Sequence, residues 1–318
     1  MKRSFAPLKR TIRKVSRCIF MQNARAAARL RRKPALIVLV YHEVLGSDKL
    51  IVQYPGTGIR IEDFHSHLTW LVRHYPIVRL AEGIKQLRER TLESTSVAIT
   101  FDDGHIGIQK LAYSVLKELG VPATLFLNAC YLDDEQINWL LKVLYLQKKG
   151  YTRRICNLFG APESNLVKWL RLSSGREVYE KLESLDEIYQ EVRYPDMPRL
   201  YLERGFLWED GGKFLDIGNH GYRHVKFSWL TYKEQVAEIE KNQVALSEFN
   251  NLLSLFAVPF GTLADWNTNT VKACESLGLE FLTAAGGINY VDEQHKEIYR
   301  IGADKVRPSA FADWFYTR

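Results

Sequence analysis

From Ala35 onward, short apolar β-favouring runs alternate with helical patterns, and this alternation leaves little room for anything but a parallel sheet, open or closed into a barrel. The runs lie at 35–40 (ALIVLV), 97–101, 123–127, 214–218, 255–258, 280–284 and 297–301, with a shorter candidate at 76–80. Between them, Ile61, Phe64, Leu68, Leu71 and Val72 fall on one stripe of a helix over 61–74. Further helices are predicted at 81–90, 106–119, 231–249 and 270–277, and Gly120 and Gly278 stop two of them. Residues 133–204 break the rhythm. Helical patterns at 136–148, 164–172 and 176–192 follow one another without a convincing strand, as in a helical insertion or lid, or in a separate small helical domain. Its tryptophans, Trp139 and Trp169, read as local core rather than as sugar platforms.

The first 34 residues differ in kind. They carry 12 Lys/Arg and no acid, whereas the remainder holds 32 basic against 37 acidic side chains. Phe5, Leu8, Ile12, Val15 and Ile19 recur at spacings of three and four, with Lys9, Arg10, Arg13, Lys14 and Arg17 on the other faces. A basic amphipathic helix of this kind suits an anionic membrane surface. An organelle transit peptide, or a basic arm touching nucleic acid nonspecifically, shares the composition, and nothing points to a specific nucleic-acid partner. The apolar stretch at 35–41 is far too short to span a bilayer. Cys18, Cys130, Cys156 and Cys274 are far apart and form no CxxC, which excludes a zinc ribbon and a dense disulfide framework and fits a reducing compartment.

Chemistry concentrates where runs end. The run at 97–101 leads into Asp102, Asp103 and Gly104. Neighbouring side chains on a strand face opposite ways, so two adjacent acids reach one site only where the strand frays and the glycine turns the chain. Paired carboxylates at the mouth of a buried strand suggest a divalent cation; a turn at Asp103-Gly104 with Asp102 as a helix cap is the plainer alternative. The run at 214–218 leads into Asn219-His220-Gly221-Tyr222-Arg223-His224, whose histidines four apart can converge on one metal. The zincin pattern HExxH is absent, because Gly221 stands where its glutamate would be.

TFDDG, then HGYRH after a strand, then a strand ending AVPFG, resembles the polysaccharide deacetylases with a NodB-homology domain, carbohydrate esterase family 4. VYHEV near the start and YRIGADKV near the end resemble the branch that works on surface glycans. The likeness runs from about residue 35 to 307, interrupted by 133–204. It implies an α/β fold, a distorted (β/α) barrel of seven strands with a helical insertion and a basic N-terminal helix, the site lying at the strands' C-terminal mouth. Segment 1–34 and a barrel domain over 35–318 are the expected division. The resemblance implies Asp102 as general base and Asp103, His220 and His224 as ligands of one divalent metal ion, zinc being the expected one. Backbone N–H groups at Phe260 and Gly261 are expected near the oxyanion.

The chain also departs from the family's pattern. Gly221 replaces a Ser/Thr after the first histidine and Val225 a frequent proline after the second. The arginine of RxPY is missing before Pro259, and Arg300 is the expected substitute. No Leu-x-His follows, so His42, at the end of the first run, is the expected general acid, with His105 second. The activity implied is removal of an N-acetyl group from an amino sugar in a polysaccharide or lipid-linked glycan. A deformylase or other amidase on a lipid-linked sugar, and a catalytically silent glycan-binding protein, are the alternatives. The expected location is the cytoplasm, peripheral to the inner membrane face.

Overall fold

The structure is a computed structural model that describes residues 33–46, 57–173, 175–192 and 198–316. The expected basic N-terminal helix falls on residues outside those described. Seven parallel strands form the framework: β1 (Ala35–Tyr41), β2 (Ser96–Asp102), β3 (Ala123–Leu127), β4 (Leu215–Asn219), β5 (Leu252–Ala257), β6 (Glu280–Thr283) and β7 (Ile298–Gly302). Each pairs with the next in chain order, and β7 returns to pair with β1 at Val38↔Arg300, which closes the barrel. The closure is irregular: the register shifts between Ile217 and Asn219, and β6 meets β7 at two positions. A short antiparallel segment, Asn289–Tyr290, pairs with the start of β1.

Closure explains why these strands are buried on both faces. One set of alternate positions faces outward, where Ile37, Leu39, Tyr41, Ile99 and Phe101 pack against α1 (Ile61–His74) through Phe64, Leu68 and Leu71. The other set brings together Leu36 and Val38, Ala98, Phe126, Leu255 and Ala257, Leu282, and Ile298 from six strands, which only the inside of a closed sheet allows. Leu80, Ile84 and Leu87 of α2 (Leu80–Glu89) join this inner cluster, against Leu36 at the start of β1. Gly218 of β4 leaves the room that Phe126 fills; a Cβ there would lie 2.5 Å from its ring. Each such fully buried apolar side chain contributes about 1.5–3 kcal/mol.

The run at 76–80 is not a strand. Ile77 makes one bridge to Val97, ahead of the point where β3 begins to pair with β2, and β2 has β1 and β3 on its two sides and no edge left to extend along. The connection from β2 to β3 contains a π turn at Ile108–Ala112 before α3 (Tyr113–Leu119). Between β3 and β4 stand α4 (Trp139–Lys148), α5 (Thr152–Phe159), α6 (Leu166–Leu172), α7 (Glu177–Glu180), α8 (Leu182–Val192) and α9 (Arg204–Asp210). Helices α5 and α9 lie outside the predicted helical patterns. After α10 (Tyr232–Leu246) and α11 (Thr268–Ser276), β6 runs to β7 without a helix. The outer layer is completed instead by α12 (Pro308–Tyr316), whose Phe311 stacks on His67 of α1.

Candidate active site

The inward parity of the strands extends past their ends and delivers the polar residues. Val38, Val40 and His42 share a parity on β1, as do Ala98, Thr100 and Asp102 on β2, Gly218 and His220 on β4, and Ile298 and Arg300 on β7. All lead to the C-terminal mouth, where a cavity of about 560 Å³ is lined by His42, Asp102, Asp103, His220 and His224, among others. Asp103 reaches the same cavity as its neighbour because it leaves the strand in the left-handed region, φ +70°, followed by Gly104 at +71°. His224 and Phe260 are also held at positive φ, a clustering of backbone strain typical of working sites.

Arg300 is wholly buried and grips Asp102 with both ends of its guanidinium, Nη1 to Oδ1 at 2.6 Å and Nη2 to Oδ2 at 2.8 Å. Burial opposes the Asp102 charge, but Arg300, His220 and His42 outweigh it and hold the carboxyl below its ordinary pKa. Asp102 is thus held by an arginine that comes from another strand, β7.

Asp103, His220 and His224 bring their donor atoms within 4.8 Å of one another. Asp103 Oδ1 lies 3.0 Å from His224 Nε2 and 3.5 Å from His220 Nε2, yet it is buried without a properly directed hydrogen bond. His220 Nδ1 donates to the Ala257 carbonyl at 2.6 Å, which in the neutral ring leaves the Nε2 lone pair aimed at that oxygen. Lone pairs facing one another in a buried site fit a cation between them. Burial works against the Asp103 charge as well, and the imidazoles of His224, His105 and His220 hold its pKa well below the usual range.

His42 is held differently. Its Nδ1 lies 2.7 Å from Asp304 Oδ2, and its backbone N–H donates to Asp304 Oδ1 at 3.0 Å. Burial pulls the imidazole down, but Asp304, with smaller contributions from Asp103 and Asp102, raises its pKa to about 9. His105 does not compete for that role. Its Nδ1 lies 3.2 Å from Glu43 and its Nε2 3.5 Å from Asp103, and its ring stacks on Tyr201, so it braces the carboxylate. The Gly261 N–H is also unavailable for the expected oxyanion contact. It donates to the Pro259 carbonyl at 2.8 Å in a tight turn. The Phe260 N–H makes no backbone hydrogen bond among the described residues. Gly261 is required for close approach: a Cβ would meet Ala284 at 2.6 Å.

Asp304 and Glu43 are partners that the sequence reading passed over. A signal existed for the first: Arg300, Gly302 and Asp304 continue one parity past the end of β7, at the mouth where barrel sites gather. The insertion also reaches the cavity, through Asn138, Leu140, Leu141, Arg171 and Tyr201.

The family model for polysaccharide deacetylases matches residues 89–155 and 208–282, stretches that contain Asp102, Asp103, His220, His224 and Phe260. The polysaccharide deacetylase-like protein YxkH of Bacillus subtilis (strain 168) is 33% identical over 114 residues, which span 33% of this chain and 38% of that relative. Among solved structures, IcaB from Ammonifex degensii superposes with a TM-score of 0.59 at 17% identity, over 90% of this chain and 98% of its own. The Streptococcus pyogenes deacetylase PplD, solved with acetate, gives 0.53 at 16% identity, over 87% and 96%. These likenesses establish a shared barrel. The family match runs into the first part of the helical insertion, resumes beyond it, and takes in the carboxylate pair, the histidine pair and the Pro259-Phe260-Gly261 turn; the chain belongs to the polysaccharide deacetylase family.

Proposed function

We propose that the protein is a metal-dependent N-deacetylase that hydrolyses the acetamide of an amino sugar in a glycan or a lipid-linked glycan precursor. The observation that carries this reading is one cavity in which two titratable groups are biased in opposite directions, Asp102 downward and His42 upward, beside a three-donor cation site. Groups whose proton affinities are pushed apart are suited to serve as base and acid in one turnover.

Asp103, His220 and His224 would hold the ion, and two imidazoles with one carboxylate suit zinc. Bound there, it supplies a Lewis acid that polarises the amide carbonyl and acidifies a water. The chain's own residues do the rest. Asp102, ionised and fixed by Arg300, takes the proton of the attacking water. The Phe260 N–H stands ready for the carbonyl oxygen as its charge grows. His42, protonated and oriented by Asp304, delivers a proton to the departing nitrogen so that it leaves as an amine. The basic segment 1–34 supports work on a substrate at an anionic membrane, at its cytoplasmic face.

The test is acetate release from N-acetylated oligosaccharides by the purified protein, before and after a chelator, with zinc then restored. Chelator-sensitive release that zinc recovers supports the reading; release unaffected by exhaustive chelation overturns it.

A further inference from the structure

The cavity carries more positive charge than this chemistry uses. Its lining carboxylates are already engaged: Asp102 by Arg300, Asp304 by His42, and Asp103 in the cation site. Lys305 and Arg307 line the same cavity from the turn after β7. Both are exposed, and neither makes an ion pair or side-chain hydrogen bond among the described residues. They stand one and three residues beyond Asp304, so an anion held between them lies close to His42, on the side of the cavity where the acid works. The same cavity has apolar lining from Leu140 and Leu141 of α4 and Trp314 of α12.

We infer that the amino sugar taken by this site carries a phosphate, which Lys305 and Arg307 hold at the rim while the N-acyl group lies over Asp102 and Asp103. The inference rests on the deacetylase reading for its reaction, but not for its binding. A phosphate fits the pair because its several oxygens can meet a lysine point charge and an arginine fork together. A neutral glycan would offer both cations hydroxyl oxygens but no opposite charge. The apolar lining suits a phosphate whose other substituent is a hydrocarbon chain, although a free sugar phosphate presents the same anion.

The experiment uses the full-length, zinc-loaded protein and two probes that differ only in the anion, N-acetylglucosamine 1-phosphate and its methyl glycoside. The wild type should favour the phosphate in kcat/KM by about tenfold or more, the worth of a charge-assisted contact. Lys305→Ala and Arg307→Ala should each lower that preference about tenfold, and Arg307→Lys should restore part of it. Because Lys305 adjoins Asp304, the ratio is the readout: any disturbance of His42 affects both probes alike. Equal kcat/KM for the two probes in the wild type, or a ratio unmoved in both alanine variants, overturns the inference. Calorimetric titration of both probes into the Asp102→Asn protein reads the subsite without turnover. Preferential binding of the phosphate without acetate release by the wild type would end the deacetylase reading and leave the subsite standing. Acetate from both probes with equal affinity would do the reverse. A third probe, the sugar on a polyisoprenyl phosphate in micelles, distinguishes the sources: a further drop in KM assigns a lipid carrier, and an equal KM a soluble sugar phosphate.

Discussion

At the level of single residues, the site is built from pairs, and each pair makes a prediction. Asp102→Asn keeps the hydrogen-bonding shape but removes the charge that accepts a proton, so turnover should fall about 10²–10⁴-fold while zinc content, measured by atomic absorption, stays at the wild-type level. Asp103→Ala, His220→Ala and His224→Ala should lose both zinc and turnover; an Asp102→Asn protein with near wild-type acetate release would remove Asp102 from the base role. The His42–Asp304 pair predicts a pH effect. The acid is active when protonated, so activity is lost as pH rises through its pKa, which Asp304 raises to about 9. A cation in the cavity would draw that limb back toward neutrality, and Asp304→Asn should move it lower again, by about 1–3 units. A kcat/KM profile whose alkaline limb is the same in both proteins would detach Asp304 from the acid. Asp102, Asp103, His220 and His224 were legible in the sequence because strand-end carboxylates and a four-residue histidine spacing are local signals. Arg300 and His42 were named only through the resemblance, as stand-ins where the chain departs from the family's pattern. Asp304 and Glu43 were not singled out, since what makes them partners is the closure of the barrel across 262 residues for His42–Asp304 and, for Glu43, its approach to His105 and to the Gly107 backbone.

Among the elements, periodicity located the strands well because a closed barrel buries both faces and leaves continuous apolar runs. It erred at 76–80, where pattern was present but no sheet edge was, and it missed α12, whose place is set by packing on α1. The insertion was visible as a break in the alternation, but its attachment was not. Trp139 of α4 donates from Nε1 to the His224 carbonyl at 3.2 Å, Tyr131 donates to the Arg223 carbonyl at 2.8 Å, and Arg176 makes a two-pronged pair with Glu234 in the capping box of α10. Val225, Trp229 and Leu230, just beyond the histidine pair, sit in the insertion's own hydrophobic cluster. The insertion therefore props the loop that carries His220 and His224, and replacing it with a linker would disturb more than substrate choice. Trp139→Phe tests this, removing the indole N–H while keeping an aromatic ring in the buried position. Losing the N–H bond should cost about 1 kcal/mol of stability. By loosening a partner of a ligand's backbone, it should weaken zinc binding about 10–100-fold. Thermal unfolding and zinc titration against a competing chelator measure the two effects, and unchanged zinc affinity would reduce the insertion to a wall of the cavity.

For the molecule as a whole, the contrast between the 12 basic side chains of residues 1–34 and a body carrying five more acids than bases is the feature on which the proposed membrane-surface role rests. That segment lies outside the described residues, and no helix among those described is long and apolar enough to cross a membrane. Lys and Arg near an anionic leaflet contribute about 1 kcal/mol each, so even a few of the twelve would hold the protein reversibly. The apolar stripe from Phe5 to Ile19 would add burial at the headgroup boundary. Attraction of this kind weakens with salt, because screening shortens to about 3 Å at 1 M. The full-length protein should therefore sediment with vesicles containing phosphatidylserine or phosphatidylglycerol at low salt and largely leave them at high salt. A protein lacking residues 1–34 should stay in the supernatant at both, yet still act on a soluble N-acetylated oligosaccharide, since β1 begins at Ala35 and the residues lining the cavity all lie beyond it. Equal partitioning of the two forms would place any membrane contact elsewhere on the barrel, and a mature protein already cleaved near residue 34 would make the segment a targeting peptide.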